Sequence, residues 1–348
     1  DKLGSIVKKK KHKQIVNPCG EISLNLLGAY CVIGDLVPYF CDTKEEMIES
    51  FSLVTRALVR TNMLEAFYGA ETKRTNRIGV SMTGIHEFAL KHFGYNFFDL
   101  IDEQKSLDFW QTIGEFKRVV EKEAKEYSLQ MGMSIPHTNT TIKPAGSTSK
   151  LFALSEGAHL PPRREYLRWV QFLDTDPLIE NYRERGYPIK KLKKYSQAVA
   201  VGFPTQPEIC RIDRSKVVIS EETTPEQQYQ FLKLLEKYWI DGVNEDGTPL
   251  ETDTGNQISY TLKYDPSKTT YEEFKQMLIE YQSQIKACSV MPALDEGLML
   301  ELYEYLPEEK VTYDQFMSYV LQIDDEGLLE AIDLTQLLKC ENGACPEL

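Results

Sequence analysis

Helical and extended periods alternate along this chain. After Thr43 the sequence TKEEMIESFSLVTRALVRTNMLEAFYG carries Met47, Phe51, Val54 and Leu58 on one stripe of a 3.6-residue period. It predicts a long helix running to Gly69. Thr43 stands at the N-cap, and Glu45 and Glu46 at the positive end of the dipole. A second long amphipathic helix is predicted over DEQKSLDFWQTIGEFKRVVEKEAKEYSLQMG, ending at Gly132. TPEQQYQFLKLLEKYWIDG and TYEEFKQMLIEYQSQIKA read as two more helices.

Between the helices lie short β-branched runs. RIGVSMTG is an apolar run closed by glycine, at a strand or strand-to-helix joint. TTIKPAGSTSKLFAL breaks the helical pattern at Pro144 and Gly146, SKVVIS and NQISYTLKYD read as strands, and CSVMPA as a buried strand. Strands alternating with helices predict an α/β architecture with a largely parallel sheet. The terminal KCENGACPEL reads as a mobile tail. No internal repeat or low-complexity segment interrupts the pattern.

Composition narrows the function class. The 348 residues are 42% hydrophobic and 27% charged, enough for a large core or two domains. A net charge of −13 argues against a general nucleic-acid surface. The basic run Lys8 to Lys13 reads as a solvated end, with a docking segment for an acidic partner as the alternative. No apolar run approaches the roughly 18 residues of a membrane span, and no signal-peptide pattern opens the chain. A cytoplasmic location without membrane or nucleic-acid partners is the expectation. The seven cysteines are scattered, without a disulfide framework or a CxxC…CxxC zinc pattern. No metal site is expected, and thiol chemistry becomes the question.

Three stretches hold candidate chemistry. In IVNPCGEISL, Cys19 sits in a Pro–Gly context with Asn17 before it and Glu21 after it. Thiol hydrolases use a histidine base, and none of the five histidines is placed by spacing to serve. A thiol and a carboxylate without histidine suit radical hydrogen abstraction; the plain alternative is a buried cysteine beside a solvated glutamate. In TIKPAGSTSK, a turn at Pro144 and Gly146 with Ser147, Thr148 and Ser149 suits either an anion or an ordinary capped turn, and Lys143, Lys150, Arg163 and Arg164 add positive charge. Cys340 and Cys345 form a C-x4-C pair able to close and reopen a disulfide by exchange.

The ordered set of motifs resembles one family. NPCGEI is similar to the finger loop of ribonucleotide reductases in the adenosylcobalamin-dependent (class II) form. NRIGVSMTGIHEFA resembles the family's RRIGxSxxG segment. TIKPAGSTSKLFALSEGAHLPP resembles the substrate-phosphate loop of ribonucleoside-triphosphate reductases, and DTGNQISYTL and CSVMP resemble late barrel segments. The terminal C-x4-C resembles that group's reducing tail.

The resemblance implies the C-terminal half of a ten-stranded α/β barrel with a central finger loop. It implies reduction of ribonucleotides, as triphosphates, to 2′-deoxyribonucleotides by a thiyl-radical mechanism. Cys19 would be the thiyl site, Glu21 the base at the 3′-hydroxyl and Asn17 a substrate hydrogen-bonding group. Cys31 would be one of two cysteines that reduce the 2′ position, and Cys340 and Cys345 would recharge them from thioredoxin. Thr141, Lys143, Ala145, Gly146, Ser147, Thr148 and Ser149 would hold the substrate phosphates, with alanine at 145 where the family pattern has serine. Adenosylcobalamin is the implied cofactor.

Whole enzymes of the family carry several hundred residues before the finger loop, including the effector site and the other reducing cysteine. The expected organisation is therefore a basic lead over 1–16, the barrel half over 17–325 and a redox tail over 326–348. An N-terminal half is expected as a separate chain or a missing segment. Two rivals remain: a class I large-subunit fragment with a metallo-radical partner, against which Tyr303 and Tyr305 alternate rather than adjoin, and an inert nucleotide-binding subunit. A thiol–disulfide carrier using the tail alone leaves the finger and phosphate loops without a role.

Overall fold

In the computed structural model, which describes residues 14–25, 28–194, 197–293 and 296–323, the stripe after Thr43 forms the helix Lys44–Thr61. The Thr43 hydroxyl accepts from the Glu46 amide and the Glu46 carboxylate accepts from Thr43, a reciprocal cap that contributes about 1 kcal/mol. Met47, Phe51 and Leu58 are buried and Val54 packs beside them. The helix stops short of Gly69, where Asn62 donates its side-chain amide to Asn76 Oδ1 and the Arg77 carbonyl. The second predicted helix spans Leu107–Gln130, with Gly132 left-handed just beyond it. Phe51 stacks on Phe116 at 4.7 Å and lies 5.5 Å from Trp239, so the two helices share one core. Emptying the Phe51 site would cost about 3–5 kcal/mol.

The chain divides into two compact units. The first comprises residues up to Arg164 together with Pro207–Ala293. Its centre is a parallel sheet ordered Ile33–Leu36, Gly79–Met82, Thr140–Ile142, Gly255–Ile258. After a break at Ser259–Tyr260 the last strand resumes as Thr261–Tyr264 and pairs in parallel with Ser289–Pro292. The architecture is α/β, as expected. Ile78, Val80, Met82, Ile142 and Ile258 join the helices in the main core. The opposite face carries Ile33, Asp35, Gly79, Ser81 and Thr141, and a short hairpin, Gln14–Val16 paired with Ser23–Asn25, reaches it. This strand alternation separates an apolar helix-facing side from a more polar one.

The second unit comprises Glu165–Gln206 and the chain from Leu294 onward. Its sheet is antiparallel, in the order Glu308–Lys310, Tyr166–Leu173, Ala198–Thr205, Ile189–Lys191. The sequence reading of a largely parallel sheet holds for the first unit and not for this one. Leu167, Trp169, Leu192, Ala198 and Ala200 form one core cluster, and Ile179, Tyr182, Val199 and Val201 another.

Two further expectations are corrected. SKVVIS is not a strand: its ends belong to the 3-10 turns Arg214–Lys216 and Ser220–Glu222, with Val217–Ile219 between them. Its backbone bonds go elsewhere, Arg164 donating to the Val217 carbonyl and Ser220 N to Pro161 O. CSVMPA does contain a strand, Ser289–Pro292, but an exposed one. Among the described residues it pairs along one edge only, so its apolar side chains are not enclosed. No helix among the described residues is long and apolar enough to cross a membrane.

His86 ties this fold to pH. It is buried, donates from Nε2 to the Ala158 carbonyl at 3.3 Å and lies 5.2 Å from the Phe231 ring. Burial lowers its pKa to about 4. The unfolded chain takes up this proton near pH 6.5 and the folded chain only near pH 4. The unfolded state binds more protons in that window, so stability falls as pH falls through it, by about 3 kcal/mol in all. Chemical denaturation between pH 7 and pH 4 should show this slope, and His86→Gln should flatten it.

Candidate active site

NPCGEI forms the tip of the short hairpin. Asn17 N donates to the Ile22 carbonyl, Gly20 N donates to the Asn17 carbonyl, and Ile22 N donates to Asn17 Oδ1 at 3.0 Å. Gly20 takes the left-handed φ of +79° that the turn requires. Asn17 is therefore a loop-forming residue first. Its free amide points at Cys31 Sγ, 3.5 Å away. Cys19 and Cys31 are exposed free thiols, whereas Glu21 is 3% exposed.

The hairpin is seated on the sheet by its backbone. The Glu21 carbonyl accepts from Gln257 N at 3.0 Å and lies 2.8 Å from the Thr141 hydroxyl, which is also 2.8 Å from the Gln257 carbonyl. Gln257 Nε2 donates to Ser23 Oγ at 2.7 Å. Close approach depends on Gly79: a Cβ there would stand 2.8 Å from Thr141 Cγ2 and 3.0 Å from Ile22 Cδ1. The Glu21 side chain is left with Oε2 buried and without a hydrogen-bond partner. An acceptor in that state is costly unless something else fills it.

The phosphate-loop candidate follows the strand Thr140–Ile142. Ala145 adopts a left-handed conformation, φ +58°, and the helix Gly146–Phe152 starts after it. Thr141 and Ser149 do not present their hydroxyls to a ligand. Thr141 is fully buried on the Glu21 and Gln257 carbonyls, and buried Ser149 turns back to the Gly146 carbonyl at 3.3 Å. Ala145 is also buried. Lys143 and Thr148 are partly open, and Gly146 and Ser147 are exposed. Arg163 and Arg164 are engaged by Glu221 and Glu222, and Lys150 by Glu156 at 2.9 Å. Lys143 is the cation that acts on the site thiols.

Electrostatics keep those thiols protonated. Burial pushes the Cys19 pKa up, the Glu21 carboxylate adds to the rise and Lys143 opposes it. Burial, Glu21 and Cys19 together push Cys31 up to about 11. A site arranged for thiolate attack shows the reverse shift. Neutral thiols suit hydrogen-atom transfer.

The segment after the loop is fastened to the RIGVSMTG stretch. Buried Glu87 accepts from Ser155 N at 2.8 Å and Ser155 Oγ at 2.6 Å, and Thr83 Oγ1 accepts from Gly157 N at 2.7 Å. His159 Nε2 accepts from Thr261 N at 2.9 Å, so its proton is on Nδ1, facing the Glu156 carbonyl at 3.0 Å. These pins, and Asp35 on the strand Ile33–Leu36, were not singled out in the sequence. The interval SxxGIHE followed by SEG was their visible trace. Cys340, Cys345 and the basic run from Lys8 lie outside the described residues. Among the described residues no group of three or more His, Cys, Asp or Glu is placed to hold a metal ion.

Alkylation rates read this electrostatic arrangement directly. Both thiols should react with iodoacetamide with midpoints above that of free cysteine, Cys31 near pH 11. Glu21→Gln removes a negative neighbour and should lower both midpoints; Lys143→Met should raise both.

No family model matches the chain. It is 27% identical over 357 residues to an adenosylcobalamin-dependent ribonucleoside-triphosphate reductase of Lactobacillus acidophilus, covering 95% of this chain and 45% of that protein. A protein of the same name from Levilactobacillus brevis is 25% identical over the same shares. The crystal structure of a B12-dependent (class II) ribonucleotide reductase superposes with a TM-score of 0.73 at 21% identity, over 92% of this chain and 44% of that one. The chain thus spans less than half the length of these proteins. Over nearly all of its own length it resembles adenosylcobalamin-dependent ribonucleoside-triphosphate reductases in sequence, and its fold is that of part of a class II ribonucleotide reductase.

Proposed function

We propose that this chain is the catalytic half of a class II ribonucleotide reductase, which converts ribonucleoside triphosphates to 2′-deoxyribonucleotides. The observation that carries the reading is the hairpin tip. An exposed, protonated Cys19 stands two residues from a buried carboxylate with an unfilled acceptor, and a second protonated thiol lies 3.5 Å from Asn17.

Each group then has a task. Cys19, as a thiyl radical, takes the hydrogen atom from C3′ and returns one at the end of the cycle. Glu21 Oε2 accepts the proton of the 3′-hydroxyl, which eases loss of the 2′-oxygen as water. Asn17 orients the sugar through the amide it now directs at Cys31. Cys31 and a second thiol supply two electrons and two hydrogens, so ribonucleotide plus dithiol gives deoxyribonucleotide, disulfide and water. Lys143, the Gly146 and Ser147 amides, and the Ser147 and Thr148 hydroxyls bind the phosphates. Thr141, Ala145 and Ser149 shape the loop from beneath. Cys340 and Cys345 reduce the Cys31 disulfide by exchange and are recharged by thioredoxin or a similar reductant.

Adenosylcobalamin, when bound, would supply the radical, and Cys19 would be the residue that takes it up. The fit rests on the solvent-facing, neutral Cys19 thiol at the tip of a fixed hairpin. The 45% coverage of the relatives motivates the last part of the proposal, an N-terminal half that completes the barrel and brings the second reducing cysteine and the effector site.

The test is ribonucleotide reduction with dithiothreitol by this chain mixed with the polypeptide encoded upstream, with and without adenosylcobalamin. Cobalamin-dependent product, absent in Cys19→Ser and reduced at least 100-fold in Glu21→Gln, is expected; a positioned general base contributes about 10²–10⁴. Product only with a metallo-radical subunit would assign the chain to class I instead. Full turnover by this chain alone would remove the need for an N-terminal half.

A further inference from the structure

The proposed chemistry leaves one half-buried acid at the site without a task. Asp35 lies on the strand Ile33–Leu36, directly opposite Ser81 in the parallel register. Ser81 Oγ accepts the Lys143 amide at 3.0 Å. The register sets Asp35, Ser81 and Thr141 side by side, and Lys143, two residues on, reaches back to Ser81 through its amide. Asp35 and Ser81 stand one same-face step nearer the strands' C-terminal ends than Ile33 and Gly79, over which Ile22 of the hairpin lies. Both Asp35 carboxylate oxygens are buried, and the Ser81 and Thr148 hydroxyls approach them without reaching full hydrogen-bond geometry. The groups turned toward it are the Ser81 and Thr148 hydroxyls and the Lys143 ammonium, which oppose the rise that burial imposes on its pKa. Lys143 opens the loop that Thr148 nearly ends.

We propose that Asp35 is a positioning residue for the loop Lys143–Ser149, drawing its two ends together around a polyphosphate group. The inference rests on the reading of that loop as the phosphate site. Buried carboxylate oxygens short of full hydrogen bonds are unfavourable. Small movements of Ser81, Thr148 and Lys143 toward Asp35 relieve this, and the same movements narrow the loop. An anion that gathers Lys143 and the Gly146 and Ser147 amides is then bound by a loop whose far side is anchored. Ser81 belongs to the same device, since it couples the Lys143 backbone to the carboxylate.

This role makes a prediction opposite in sign to simple electrostatics. Asp35 carries negative charge close to where phosphates would bind. If charge were its only effect, Asp35→Asn would tighten anion binding. As a positioning residue its loss loosens binding.

Calorimetric titration of the whole chain with inorganic tripolyphosphate at fixed ionic strength separates these outcomes, with thermal melting followed in parallel. Asp35→Asn and Ser81→Ala should each weaken binding about tenfold, the scale of one lost hydrogen bond to a charged group. The double variant should bind no more weakly than the weaker single, because the two act through one element. Ser81→Ala removes only a hydroxyl, so it keeps the test open if Asp35→Asn fails to fold. Unchanged or tighter binding in either single variant, or additive losses in the double, would overturn the inference while leaving the phosphate loop intact. No binding to the unmodified chain would overturn the loop reading and this inference with it.

Discussion

The carbonyl of Glu21 is the point on which the site depends. A side-chain hydroxyl from Thr141 and a backbone amide from Gln257 meet on it, and that contact fixes the hairpin against the middle of a parallel sheet. The absence of a side chain at Gly79 makes the approach possible. Everything chemical at the tip follows: Cys19 faces outward, the Glu21 side chain is buried, and Asn17 spends one end of its amide on the turn and aims the other at Cys31. The carboxylate is held by its own main chain, which leaves its Oε2 without a partner.

The opposite ends of the strands are built differently. Lys117 is fully buried and donates to Asn139 Oδ1, Thr140 Oγ1 and Thr254 Oγ1 at 2.8, 3.0 and 3.1 Å, with Glu121 at 2.9 Å. Lys286 Nζ donates to the Gly255 carbonyl at 3.0 Å, and its amide donates to Glu236. Trp239, on a wide π-turn over Glu236–Asp241, donates its indole N–H to the Thr141 carbonyl at 2.8 Å. Buried charges are tolerated only with such full satisfaction. The strand that seats the hairpin is thereby held from the helix side by an indole and from its leading end by a lysine.

What the sequence disclosed, and what it did not, divides along the range of the interactions. Local signals were legible: the Thr43 cap, the apolar stripe to Leu58, the glycine after Gln130, and the turn character of NPCGEI. So was the closeness of Asn17, Cys19 and Glu21 on one turn. Nothing in the sequence distinguishes Lys117 and Glu121, four residues apart on a helix, from a solvated pair; the packing of that helix buries Lys117 and half-buries Glu121. Ser149 stood among the hydroxyls beside the glycine turn and Thr141 entered through the family resemblance; their hydrogen bonds to main-chain carbonyls show where both point. Asp35 acquires meaning only from standing opposite Ser81. The antiparallel second unit was hidden because Tyr166–Leu173 pairs with Glu308–Lys310 from far along the chain.

The same clasp sets an order of events during folding. Thr141 reaches Glu21 across 120 residues, and Gln257 reaches Ser23 across 234. Closing loops of that length is entropically unfavourable until other contacts have already brought the segments together. The hairpin therefore has nothing to dock on until the strands around Gly79, Thr141 and Gln257 are side by side. A chain emerging from synthesis presents Cys19 early but gathers Glu21, Cys31 and the Lys143–Ser149 loop around it late, so the geometry of the candidate site comes into being only with the completed sheet.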